Sequence, residues 1–276
     1  MLIIDTHAHI YAEDDVQYPT IEKPIRPPGN SGSVPKLEAL AKENGVAGVC
    51  IVQPGTFYRW DNRFICDVSK AHPKHMAGVC TLDADDANSP ALLNGYVTDY
   101  GVRGLRSYAA ADGHLDHPGI QALWKKAEQL GIAVIVFVNR EKTDEFARML
   151  EKFPRLPVVI DHCFIPKPSA DLNNALADLI RLAKFSNAYA KLSFLPLGSV
   201  EEYPFCDMHE PCKRIIAAYG PERCVWGSNF PCELWTPKST YAQNLRLFTH
   251  ELGLANAVKE SILGRTAEAL WFKGKL

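Results

Sequence analysis

Residues 2–9 read LIIDTHAH: an apolar, strand-forming start that runs into aspartate and two histidines. An open, doubly wound α/β sheet usually carries a Gly-rich phosphate turn behind its first strand. This first strand ends in DTHAH instead. Working outward, seven more short β-rich runs follow at 47–54, 76–82, 101–108, 132–138, 157–164, 187–194 and 222–229. They recur every ~30 residues, the length of one βα unit. Between them lie segments with helical apolar spacing, such as 120–130 (IQALWKKAEQL) and 172–185 (LNNALADLIRLAKF). Gly45, Gly101, Gly131 and Gly220 stand where a helix must end in a left-handed residue before the next strand. Strand and helix alternation predicts a parallel sheet, and eight units predict closure into a single α/β domain, a (β/α)8 barrel spanning residues 1–276.

The composition is that of a globular chain. It has 276 residues, 47% hydrophobic and 22% charged, with 30 basic against 32 acidic side chains. A net charge of -2 gives no surplus for nucleic acid or an anionic membrane, so neither is expected as a partner. No apolar run approaches the ~18 residues of a membrane span. The first residues lack a basic leader and cleavage site, and the eight cysteines form no C-x-x-C pair. A reduced, cytoplasmic setting is the expectation, and a homo-oligomer is left open.

The residues with chemical potential sit at the ends of the runs. His7 and His9 are two apart on a strand, so both side chains point to one side, at the barrel mouth. Two imidazoles there suit a divalent ion, zinc first and manganese as the alternative; a pair of hydrogen-bonded core histidines is the plainer reading. His162 closes the sixth run and suits a third metal ligand or a proton-shuttling group. Cys163 faces the other way. Arg106 and Lys191 end the fourth and seventh runs; they fit a substrate carboxylate or oxyanion, or a salt bridge inside the barrel. Gln53 ends the second run and is expected to line the same mouth, with Tyr58 and Asp61 behind it. His209 and Asp207 are secondary candidates. The irregular stretch 11–35, rich in Pro and Gly, is read as part of the substrate pocket because loops after barrel strands lie on the active face. His72 and His75, on either side of Pro73 and ahead of a strand, fall at the opposite end of the barrel.

DTHAHI at the first strand, VVIDHCFIP at the sixth, WGSNFP at the eighth and ILGRTAEALWF near the end together resemble the amidohydrolase-related proteins of the amidohydrolase superfamily. FYRWDNR and KLSF fit the branch that includes 2-pyrone-4,6-dicarboxylate lactonase and sugar-acid lactonases. The resemblance implies a TIM-barrel, metal-dependent hydrolase in which His7 and His9 are the first-strand H-x-H and His162 the later strand-end histidine. One position departs. Where the family's eighth strand usually reads G-S-D-W-P, this chain has Gly227, Ser228, Asn229, Phe230 and Pro231. Asn229 can orient a water or donate to an oxyanion but cannot take a proton as a carboxylate does. Glu233, four residues on, is a candidate for the missing carboxylate.

The expected function is therefore hydrolysis of a lactone or related cyclic ester bearing a carboxylate, with a small anionic molecule as substrate. His7, His9, His162 and Asn229 are the expected catalytic residues. Arg106, Lys191 and Gln53 are expected to bind substrate. A metal-dependent decarboxylase or hydratase, or a ligand-binding barrel that has lost its base, are the alternatives.

Overall fold

The computed structural model describes residues 1–274 and 276. Among them eight strands run in chain order: β1 (Ile4–Ala8), β2 (Gly48–Val52), β3 (Met76–Thr81), β4 (Gly104–Ser107), β5 (Ala133–Val136), β6 (Val158–Ile160), β7 (Ala188–Lys191) and β8 (Cys224–Val225). Each pairs in parallel with the next, in sheet order 1 to 8. Every strand lies within a run expected from the sequence. The main helices between and after them are α1 (Val34–Glu43), α2 (Arg63–Ala71), α3 (Ser89–Tyr100), α4 (Pro118–Leu130), α5 (Thr143–Lys152), α6 (Leu172–Ile180), α7 (His209–Tyr219) and α8 (Tyr241–Arg246). The fold is a (β/α)8 TIM barrel.

Local chemistry accounts for these boundaries. Proline occupies the first turn of α1, α3 and α4, where its missing N–H costs nothing. Gly101 and Gly131 close α3 and α4 at φ of 73° and 64°, as their position in the sequence demands. Alternate strand residues then go to two cores. Outward residues such as Ile51, Leu105, Val136 and Ile160 pack under the helices. Inward residues such as Val52, Val79, Ile135, Val159 and Val225 fill the barrel, whose floor is plugged by Leu270, Trp271 and Phe272. Each fully buried side chain of this kind contributes about 1.5–3 kcal/mol.

The seam between β8 and β1 is built differently. Instead of a ladder, Thr6 N donates to Trp226 O, Asn229 N to His7 O and His9 N to Phe230 O. The buried Asp5 carboxylate accepts from His7 N, Ser228 N, Ser228 Oγ and the Tyr241 hydroxyl. Gly227 makes this approach feasible, since a Cβ there would lie 2.7 Å from His7 Cβ.

Candidate active site

Strand parity decides which side chains reach the mouth. On β6 the inward residue is Val159, so two further on Asp161 points inward. By the same count Arg106 follows Gly104 on β4, and Lys191 follows Tyr189 on β7. Gln53 comes one residue after the inward Val52 and so points out of the barrel. It is fully buried, and its amide nitrogen donates to the Asp61 carbonyl. The expectation that Gln53 lines the mouth is thus corrected.

Two backbone irregularities bring in the histidines. On β1, Asp5 pairs with Val49 but Ala8 with Ile51, so β1 carries one extra residue. This bulge changes the parity: Ile4 packs inside and Ala8 outside, while His7 and His9 face the mouth. After β6, His162, Cys163, Phe164 and Ile165 all have positive φ, between 50° and 63°. None is glycine, and a left-handed conformation costs roughly 1–2 kcal/mol per residue. The turn swings His162 into the cavity beside Asp161, and Cys163 packs outside with its Sγ 3.2 Å from Lys191 O.

His7, His9, His162, Asn229 and Arg106 line one cavity of about 250 Å3, walled by Tyr108, Phe137, Ile165, Leu197 and Trp235. Arg106 and Tyr108 also line a second chamber of about 290 Å3 with Arg59 and Trp60. At the base lies Asp161, fully buried, with Arg106 Nη2 2.7 Å from one oxygen and Lys191 Nζ 3.0 Å from the other. His7 Nδ1 and His162 Nε2 are 3.4 and 3.6 Å from the latter oxygen. Lys191 has no exposure and does not line the cavity, whereas Arg106 does. The cations read as substrate ligands thus share a protein carboxylate. Of the two, only Arg106 lines the cavity, and its buried Nε has no hydrogen-bond partner among the described residues.

The imidazoles form a directed chain. His9 Nδ1 is 2.7 Å from the Val52 carbonyl, which only accepts, so Nδ1 carries the hydrogen and Nε2 a lone pair. That lone pair meets His7 Nε2 at 3.1 Å, so His7 donates there and accepts at Nδ1, where Lys191 Nζ lies at 3.3 Å. Burial pushes His9 down to about 3 and His162 to about 4, and holds His7 well below the usual imidazole range. All three are neutral at pH 7. Burial alone would raise Asp161, but His162 once it is protonated in acid, together with the Lys191 and Arg106 charges, outweighs it and holds the carboxyl well below the usual range. Burial lowers Lys191 against the pull of Asp161.

Neutral imidazoles beside an ionised carboxylate are a donor set for a transition metal. A tetrahedral ion with bonds of about 2.0–2.1 Å sets its ligand atoms roughly 3.3 Å apart. The 3.1 Å between the His7 and His9 Nε2 atoms matches that edge, with an ion taking the place of the His7 Nε2 hydrogen and the ring hydrogen moving to Nδ1 beside Asp161. His9 and His162 are each anchored through the other ring nitrogen, to Val52 O and to Ser193 Oγ at 2.7 Å, the outer support that metal-binding histidines require. His7, Asp161 and His162 also place one donor atom each within 4.8 Å of one another. The residues fit a divalent cation.

Asn229, at φ 61°, donates from Nδ2 to Ser193 O at 2.8 Å and leaves Oδ1 buried with no partner. Oδ1 therefore offers the cavity an acceptor, which suits the first of the two roles read from the sequence, orienting a water. Glu233 lines a separate groove with Lys36 and Lys238. His209 Nε2 donates to Pro204 O, and Asp207 accepts from Ser199 Oγ and Val200 N. Tyr58 accepts from Ala12 N, and Asp61 pairs with Arg63. None of these lines the cavity. The 11–35 stretch acts from behind: Trp235 Nε1 donates to Tyr11 Oη, and Ile21 N and Ile25 N donate to Phe57 O and Thr56 O. Asp161, missed in the sequence, was detectable from its parity with Val159.

A family model described as amidohydrolase matches residues 4–273. The chain belongs to the amidohydrolase family. It is 24% identical over 272 residues to D-galactarolactone isomerase of Agrobacterium fabrum (strain C58 / ATCC 33970), covering 97% of this chain and 90% of that protein. Its fold is that of a probable 2-pyrone-4,6-dicarboxylic acid hydrolase from Acinetobacter baumannii solved with citric acid bound. That match has a TM-score of 0.81 at 20% identity, covering 98% of this chain and 99% of the other. A Burkholderia multivorans amidohydrolase solved with bound zinc matches at TM-score 0.79 and 18% identity, with 98% and 99% covered. The resemblance read from DTHAHI, VVIDHCFIP and WGSNFP is thereby confirmed at the level of family and fold, and the protein is an enzyme of the amidohydrolase superfamily.

Proposed function

We propose that this amidohydrolase opens a lactone or related cyclic ester that carries a carboxylate. The observation that carries the reading is the pairing, in one apolar-walled cavity, of neutral imidazoles with an arginine whose Nε–H has no partner. The Arg106 guanidinium, held over the Phe137 and Tyr108 rings at 4.8 and 5.2 Å, is set to receive the substrate carboxylate. Asn229 Oδ1 accepts a hydrogen from the attacking water and aims its lone pair at the ring carbonyl. As the water oxygen bonds to that carbon, His162 Nε2 takes the proton, and Asp161 stabilises the imidazolium. The ring C–O bond then breaks, and the proton passes to the departing oxygen, giving an open hydroxy or keto acid. A divalent cation held by His7, His9 and Asp161, zinc before manganese, would polarise the carbonyl and leave His162 Nε2 free as the base.

The test is a panel of lactones with and without a carboxylate, assayed for ring opening on protein of measured metal content. Ring opening that requires the carboxylate and disappears in His7→Ala/His9→Ala supports the proposal. Carbon dioxide release from aromatic acids without ring opening would replace it with a decarboxylase. Saturable binding without turnover would leave a ligand-binding barrel.

A further inference from the structure

At the end of the barrel opposite the cavity, three metal-ligating side chains converge where the chemistry above uses none of them. Glu38 projects from α1; His72 ends α2, and His75 precedes β3. His72 Nδ1 and His75 Nε2 each lie 3.2 Å from the same oxygen, Glu38 Oε1. The imidazoles meet edge to face with centroids 5.3 Å apart, and one ligand atom from each of the three residues falls within 4.8 Å of the others. The 3.2 Å edges again match ligands on a tetrahedral ion with bonds of about 2.0–2.1 Å. Among the described residues Glu38 forms no ion pair with lysine or arginine, so its charge is free to face a cation.

The backbone beneath is already fixed. His72 N donates to Val68 O, His75 N and Met76 N both donate to His72 O, and Arg103 Nη2 holds Pro73 O. Side-chain exposures of 31%, 44% and 39% for His72, His75 and Glu38 leave the group open to an ion from solution. Two imidazoles and one carboxylate select zinc-class ions over calcium or magnesium, and three protein ligands leave the fourth position to water. We propose that Glu38, His72 and His75 form a second, structural metal site that takes a divalent transition ion and clips α1 to the α2–β3 turn.

The full chain, stripped of metal, is dialysed against zinc, and bound metal is measured for wild type, His72→Ala/His75→Ala and Glu38→Gln. The expected result is one zinc per chain fewer in the double variant at a concentration that saturates wild type, and at least ~10-fold weaker binding of that equivalent in Glu38→Gln. Zinc should raise the Tm of wild type by more than that of the double variant, by a few degrees when in ~100-fold excess over Kd. Reading the difference between proteins cancels zinc taken up by the central histidines or by the exposed Cys206. Ring-opening activity should be the same in all three. Equal zinc stoichiometry and affinity in wild type and the double variant would overturn the proposal. So would an equal zinc-induced Tm shift. The Glu38→Gln result stands in if the double variant does not fold.

Discussion

The mouth and the floor of this barrel are both buried, but they are stabilised by opposite means. The floor is apolar: Ile4, Val79, Ile135, Val225 and Trp271 fill space between strands and contain little that can titrate. The mouth packs Asp161, Lys191, Arg106 and three imidazoles into a comparable depth. Burying such charges costs several kcal/mol each, and only their mutual pairing offsets it. The floor supplies stability that the mouth spends on chemistry, so damage to the two should separate stability from activity.

The largest effect is expected from Asp161→Asn, which leaves Lys191 and Arg106 buried without their counter-ion. It should cost about 3–5 kcal/mol in urea unfolding and remove activity. A loss under ~1 kcal/mol would mean that the mouth is no more charge-dependent than a surface ion pair.

Acid should expose the same difference. His9 titrates near 3 folded and His162 near 4, against 6.5 unfolded, so below pH 6.5 the unfolded chain takes up protons that the folded chain refuses. Stability therefore falls as pH drops from 6.5 toward those values, by about 1.4 kcal/mol per pH unit for each such histidine. Asp161 extends the loss below 3.8, whereas Asp5, raised by burial, works in the opposite sense above 3.8. Urea midpoints at pH 7.5, 6 and 5 check this, and His9→Gln should flatten the slope. An unchanged slope would place the acid sensitivity elsewhere.

Asn229→Asp comes next. A carboxylate oxygen would replace the N–H that satisfies Ser193 O, leaving a buried carbonyl unpaired and facing negative charge. Stability should fall by about 1–3 kcal/mol, and kcat with it. A variant as stable as wild type and at least as active would show that the bond from Asn229 to Ser193 O is dispensable and that a carboxylate places the water as well as the amide.

The smallest effect belongs to the floor. Ile135→Val should cost about 0.5–1.5 kcal/mol and leave kcat/KM within about twofold. A larger drop in turnover would show that floor packing sets the positions of the mouth residues.

The same division explains what could be read from residues alone. Apolar runs and glycine spacing marked the strands because barrel packing repeats every βα unit. His7, His9, His162 and Asn229 were legible as strand-end polar residues, and the structure brings all four to one cavity. Gln53 and Asp161 were misread or missed for one reason: a strand end was treated as a place, although parity decides which of two neighbours faces inward. His162 reaches the cavity only through a left-handed turn of four non-glycine residues, which no local preference announces. The Asn229 amide could not be oriented until Ser193 O was placed opposite it.

The irregular seam has a consequence for how the molecule comes into being. β1, which carries His7 and His9, precedes the other seven strands in the chain, yet beyond its neighbour His7 the partners of Asp5 are Ser228 and Tyr241. Until β8 and the residues behind it are made, that carboxylate has no seam to close, and the two histidines have no Asn229 and Phe230 backbone to lock onto. A nascent chain stopped after α7 should therefore hold most of its sheet while lacking ligand binding at the mouth, so that the earliest strand of the barrel is the last to acquire a purpose.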